Sequence, residues 1–125
     1  EAALTISTTG VDILPGTVRG LTRAAVGVDT VRALSRLHPD VAFIGCNGMG
    51  EDGFTTPDPE EAAGKSAMVA GARRRIVLAD ASKADVSQLV TFAELDDVDV
   101  LVTDRSLPDS HLRTFTDSGI EVVRA

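Results

Sequence analysis

The chain has 125 residues, enough for one domain around one core. Hydrophobic residues make up 43% and charged residues 25%, the balance of a folded soluble protein. A net charge of −7 excludes the broad basic stripe that neutralises DNA or RNA phosphates.

Trp and Tyr are absent and only four Phe occur, so the core must pack small and β-branched side chains closely. The single Cys46 excludes an internal disulfide and fits a reducing, cytoplasmic compartment. No apolar run approaches the roughly 18–20 residues of a membrane helix, and no signal peptide pattern is visible. The chain opens on Glu1 rather than Met and is read as a piece of a longer protein.

Residues 4–8 and 11–14 read as short strands, with Pro15-Gly16 as a turn. Val28, Val31, Leu34 and Leu37 recur at near-helical spacing, with Asp29 available as N-cap. Pro39 ends that helix, because the residue before a proline disfavours α geometry. Residues 41–44 are a continuous apolar run leading into Gly45. Asp58, Pro59 and Glu61 predict a helix start: a capping side chain, proline in the first turn, and an acid three residues after the cap. That helix runs to about residue 72. Arg73-Arg74-Arg75 follows at the helix end, where cations suit the dipole.

Residues 76–79 form a second apolar run ending in Asp80. A helix is expected over about residues 86–95. Residues 98–102 are apolar except at Asp99 and lead into Thr103-Asp104. A last helix follows Pro108 and stops at Gly119, which suits a left-handed cap. Residues 120–123 make the final strand. Strands that are apolar on both faces and alternate with helices predict a parallel α/β sheet with right-handed crossovers, covered on both sides by helices.

Ligands of open α/β sheets bind beyond the carboxyl ends of the strands. Those ends carry residues 45–53, residues 80–83, and Thr103-Asp104. The first segment has four glycines in nine residues. Such a backbone can take positive φ and turn consecutive N–H groups toward a phosphate or carboxylate. The alternative is a long tight turn that binds nothing. Residues 48–53 spell G-x-G-x-x-G, but no helix starts inside the motif, and Glu51 and Asp52 would repel a pyrophosphate. The segment is therefore not read as a dinucleotide site.

Lys65, four residues after Glu61, is either half of an exposed ion pair or a group facing the site. Lys83, just past a strand end, is placed to hold a phosphate as a point charge. Asp80 and Asp104 either accept from sugar hydroxyls or cap the next helices, and by spacing alone capping is the simpler reading. His38 and His111 fall outside the candidate loops, and no Ser-His-Asp or Cys-His arrangement can be assembled. Cys46 reads as a small filler, with a reactive thiol as the alternative. Metal-ligand spacing is absent. No catalytic residue, metal or cofactor is expected.

Taken together, the stretches LPGTVRGLTRAAVG, DVAFIGCNGMGEDGFTTPDPEEAAGKSAM, RRIVLADASK and VDVLVTD resemble, in order and spacing, the C-terminal effector domain of DeoR-type bacterial transcription regulators. The resemblance covers nearly everything from Leu14 onward. It implies a three-layer parallel-sheet α/β fold similar to ribose-5-phosphate isomerase, glucosamine-6-phosphate deaminase and CoA transferases. It implies binding of a phosphorylated sugar or related anionic metabolite, with no turnover. The implied ligand contacts are Arg19, Gly45, Cys46, Asn47, Gly48, Met49, Gly53, Thr55, Lys65, Asp80 and Lys83.

Family members reach DNA through an N-terminal winged helix-turn-helix, usually as homo-oligomers. This chain carries neither that element nor anything like the family's early Asp-Ser-Gly-Thr-Thr loop. Residues 1–125 are thus expected to be one effector domain, incomplete at its N-terminus. The competing expectation is a sugar-phosphate isomerase or deaminase of the same fold, with Asp80 or Glu51 as base.

Overall fold

The computed structural model describes residues 3–4, 17–20 and 25–125. The early strands expected over residues 4–8 and 11–14, apart from Leu4, and the Pro15-Gly16 turn therefore lie outside the described residues. In chain order the elements are β1 (Ala3–Leu4), β2 (Thr17–Val18), β3 (Ala25–Val26), α1 (Val28–Leu34), β4 (Val41–Gly45), β5 (Gly48–Gly50) and β6 (Gly53–Thr56). They continue as α2 (Pro59–Gly71), β7 (Arg74–Leu78), β8 (Val90–Ala93), β9 (Val100–Thr103), α3 (Asp109–Thr116) and β10 (Glu121–Arg124). Short 3-10 turns lie at Ala81–Lys83 and Leu95–Asp97.

β1, β4, β7, β9 and β10 form one parallel sheet in that spatial order. A smaller antiparallel sheet, β5-β6-β8, and the two-stranded ribbon β2-β3 accompany it. The parallel α/β sheet is the one expected from the apolar runs. Helix α2 begins where the sequence places it: Asp58 accepts a 2.9 Å bond from the Glu61 N–H, with Pro59 in the first turn. Gly119 takes a φ of 87° just after α3, the left-handed residue expected there.

Three expectations are corrected. Helix α1 is capped by Gly27, whose φ is 109°, with Asp29 inside the first turn. It buries Thr30 and Leu34, an i, i+4 pair, and stops at Leu34, so Val28 and Leu37 stay exposed. Residues 86–95 contain no helix. Val90–Ala93 is instead a strand paired with β6, and Thr55 Oγ1 accepts the Gln88 N–H at 2.9 Å, which holds the preceding segment extended. The Arg73–Arg75 run is not in a helical turn, since Arg74 and Arg75 belong to β7. Arg75 Nε nevertheless donates to the Val69 carbonyl at the end of α2, at 2.9 Å.

Register partners in a parallel ladder point to the same side of the sheet. Ile44, Val77, Leu101 and Val122 share one face. That face packs under Met49 and Phe54 of the small sheet, Met68 and Val69 of α2, and Phe115 of α3. The Phe54 and Phe115 rings stack with centroids 6.0 Å apart. Phe43, Ile76, Leu78, Val102 and Val123 share the opposite face. None of these five belongs to the core cluster. On that face Val41 and Val100 are also buried, at 8% and 5% exposure, while Phe43, Leu78 and Val123 are exposed.

Candidate functional site

The glycine run does not form an open nest. Residues 48–56 fold as a β-hairpin, with Gly48 opposite Thr55 and Gly50 opposite Gly53 around the Glu51–Asp52 turn. Gly53, with a φ of 88°, closes the turn as its left-handed residue. Gly48 is required for another reason: a Cβ there would meet the Val86 carbonyl oxygen at 2.2 Å. Most of this segment is therefore the tight structural turn that the sequence left as the alternative. Met49 is fully buried in the core, and Thr55 is buried with its hydroxyl committed to Gln88. The Asn47 N–H donates to the Thr55 carbonyl at 2.9 Å, and its Oδ1 accepts from Thr56 Oγ1 at 3.2 Å.

What remains open is the bend at Gly45-Cys46-Asn47, at the carboxyl end of β4. Lys65 Nζ crosses from α2 to donate to the Gly45 carbonyl at 2.7 Å, and stands 5.1 Å from the centroid of the Phe92 ring. Burial lowers the Lys65 pKa, opposed by the nearby carboxylate of Glu61. Lys65 is thus drawn inward across the fold. Lys83 ends the 3-10 turn after β7 and acts electrostatically on Cys46, as Lys65 does. Lys65 thus reaches the end of β4, and Lys83 is carried on the turn that follows β7, the strand paired with it.

Cys46 reports on that environment. Burial raises its thiol pKa to about 11, against the pull of Lys65 and Lys83. The group is a protonated filler at neutral pH, which matches the simpler sequence reading. Alkylation by iodoacetamide at pH 8 is expected to run about 100-fold slower than for a free cysteine thiol. The rate should keep climbing toward pH 11. A rate at pH 8 equal to that of a free thiol would show that the side chain is not enclosed.

Asp80 and Asp104 act as caps. Asp80 accepts from the Ser82 N–H at 2.9 Å and from the Ser82 hydroxyl. Asp104 accepts from the Ala81 N–H at 2.8 Å, the Ser106 N–H at 2.8 Å and the Ser106 hydroxyl. It thereby ties the end of β9 to the turn that carries Lys83. Bonds from the serines, chiefly their hydroxyls, lower both carboxyl pKa values. Such groups contribute stability above the unfolded carboxylate pKa of about 3.9, and it is lost as pH falls through their lower folded values. Asp85, with a φ of 58°, follows this turn and donates its N–H to the Met49 carbonyl at 2.8 Å.

Arg19 follows the β2 strand and pairs with Asp58 and Glu61, each at 3.3 Å, at the start of α2. Its partner Glu61 lies one helical turn before Lys65 on α2. The structure thus places Gly45, Cys46, Asp80 and Lys83 at the carboxyl ends of β4 and β7, with Lys65 reaching there from α2, while Arg19 is held at the start of α2. Gly48, Met49, Gly53 and Thr55 serve the hairpin instead. Two clefts elsewhere, of about 380 and 600 Å³, are lined by Glu51 and Asp52, with Asp85 added in the first and Glu94 and Asp96 in the second. Walls of that charge disfavour an anion. The sequence did not single out Phe92, the ring under Lys65, or the cap that Asp104 makes across strands. Among the described residues no cluster of His, Cys, Asp or Glu could hold a metal ion, and no helix is long and apolar enough to cross a membrane.

A sequence profile of the DeoR C terminal sensor domain matches residues 3–105. The chain is 34% identical over 114 residues to the HTH-type transcriptional regulator GlpR of Haloferax volcanii, covering 90% of this chain and 45% of that protein. It is 34% identical over 112 residues to the HTH-type transcriptional repressor GlcR of Bacillus subtilis, covering 89% of this chain and 43% of that protein. The lactose phosphotransferase system repressor of Staphylococcus epidermidis is 29% identical over 111 residues, covering 89% and 43%. The chain thus spans under half the length of the curated relatives it matches.

Proposed function

We propose that this chain, which belongs to the DeoR C-terminal sensor domain family, binds a phosphorylated sugar or related small anionic metabolite at the ends of β4 and β7. Occupancy then alters DNA binding by a helix-turn-helix part of a longer protein, in a regulator of sugar metabolism. Sequence relatives named as transcriptional regulators and repressors support this reading. The observation that carries it is Lys65 Nζ bonded to the Gly45 carbonyl at the end of β4, with Lys83 on the turn after the adjacent strand β7, within a chain of net charge −7. There the ammonium groups hold the anion, and Gly45, which has open space around its Cα, lets it approach the backbone. Ligand binding shifts the regulator between DNA-bound and released states only to the extent that it favours one of them.

The alternative of an isomerase or deaminase is less well supported. It needs a base near neutral pKa, whereas Asp80 is committed to Ser82 and held below the usual carboxylate range. Glu51 lies at the tip of the hairpin turn, one residue into the loop and away from Lys65 along the strand pair.

A thermal-shift panel of phosphorylated and unphosphorylated sugars on the longer protein tests the reading. A bound ligand at about 100 times its Kd should add roughly 2.7 kcal/mol to stability. Lys65→Met should weaken binding by about 10- to 100-fold, the worth of a charged hydrogen bond, while circular dichroism stays unchanged. No stabilisation by any phosphorylated sugar, or conversion of one to product, would overturn it.

A further inference from the structure

Lys65 takes a partner that its place on α2 argues against. A Glu four residues before a Lys on one helix favours an ion pair between the two. Glu61 and Lys65 have that spacing, and Glu61 is near enough to act on Lys65 electrostatically. Yet among the described residues Lys65 makes no ion pair. Its ammonium goes instead to the uncharged Gly45 carbonyl, at 2.7 Å, and to the face of Phe92.

Arg19 accounts for the difference. Its Nη1 lies 3.3 Å from Glu61 Oε1 and 3.3 Å from Asp58 Oδ2. Asp58 cannot turn away, because its other oxygen accepts the Glu61 N–H as the cap of α2. A planar guanidinium with five donors can hold both carboxylates at once. The side chains of Arg19, Asp58 and Glu61 are 29%, 23% and 10% exposed, which shields them from the water that weakens surface pairs. The ribbon sets Arg19 in this place. Arg19 follows β2, and β2 pairs with β3, whose Val26 is buried and accepts a 3.2 Å bond from Thr30 Oγ1 of α1.

We propose that Arg19 is a positioning residue for the anion site: by engaging the Glu61 carboxylate it keeps that group off Lys65 and leaves the Lys65 ammonium to the ligand. Without Arg19, Glu61 would turn to Lys65. An incoming phosphate would then have to displace a carboxylate rather than a neutral carbonyl, a stronger competitor for the same donor. The inference rests on the ligand reading above. It replaces the direct ligand contact that the resemblance implied for Arg19, since the guanidinium acts through Glu61.

Two measurements on the longer protein test it. In the ligand-free state, an NMR titration of isotope-labelled lysine side chains follows Lys65. Arg19→Met should raise the Lys65 pKa, because a carboxylate then approaches the ammonium. In a Glu61→Gln background the same change should have no effect. Calorimetry with inorganic phosphate and with glucose-6-phosphate then reads affinity, at about 0.15 M salt so that distant charges are screened. Arg19→Met should weaken binding about 10-fold with Glu61 present and less than about 2-fold in the Glu61→Gln background, a double-mutant cycle that isolates the pair. Arg19→Lys keeps a cation beside Glu61 and should stay within about 3-fold of the unmodified protein. An equal loss in both backgrounds means that Arg19 meets the anion itself, and overturns the proposal. So does a Lys65 pKa indifferent to Arg19. Absence of binding, or binding unchanged by Lys65→Met, fails the ligand reading and takes this inference with it.

Discussion

Phe54→Ala is expected to destabilise the domain by about 4 kcal/mol, within the range for truncating a buried aromatic residue. Domains of this size hold roughly 5–15 kcal/mol in total, so the loss removes a large share of the stability. The effect should be this large because Phe54 is fully buried at the centre of the cluster. It joins three layers. Its backbone pairs with β5 and β8, its ring stacks on Phe115 of α3, and the cluster beneath it includes the sheet residues Ile44, Val77 and Leu101. No neighbouring helix can slide in to fill the space without breaking those pairings. A urea titration read by circular dichroism measures the change. Phe43→Ala in the same chain removes a ring 43% exposed on the opposite face of the sheet and should cost under about 1 kcal/mol. Equal losses for the two would contradict the central burial of Phe54 and the exposure of Phe43.

Gly53→Ala should cost about 3 kcal/mol, through two independent causes. Its φ of 88° lies in the left-handed region, which disfavours an L side chain by roughly 1–2 kcal/mol. The added Cβ would also meet the Ala93 carbonyl oxygen at 2.3 Å, so β8 must move, an overpacking cost of typically 1–3 kcal/mol. Gly45→Ala is the matching control. Nothing lies within 4 Å of a Cβ there, so stability should stay within about 0.5 kcal/mol. Thermal unfolding of both variants separates the hairpin glycines from the one beside the lysines. A neutral Gly53→Ala would mean that the hairpin does not close as described.

Local signals were the legible ones. Asp58, Pro59 and Glu61 act within one helical turn, and the start of α2 follows from them alone. The apolar runs that became β4, β7 and β9 announce strands because they are only three or four residues long and rich in β-branched side chains. Residues 86–95 misled for a physical reason. Val86, Leu89, Val90 and Ala93 have helical spacing, yet Leu89 is 78% exposed and the segment is claimed by β6, more than thirty residues earlier. Periodicity cannot register a partner so distant. The glycine run was ambiguous in the same way, since a hairpin and an anion nest both call for glycine.

The candidate site was legible only in part. Strand ends indicated Gly45, Asp80 and Lys83, while the reach of Lys65 to a carbonyl twenty residues away depends on where the crossover lays α2. The apolar pattern also shows where greasy surface lies on a strand, but not what comes to rest on it.

The bond from Lys65 to Gly45 has a consequence for discrimination. The ammonium already has an acceptor, so an incoming molecule must offer a better one and leave that carbonyl to water. An uncharged hydroxyl offers no more than the carbonyl does, whereas a doubly charged oxyanion outbids it. If the proposed site is the right one, free sugars, however abundant, would leave this latch shut, while an anion such as a sugar phosphate would spring it.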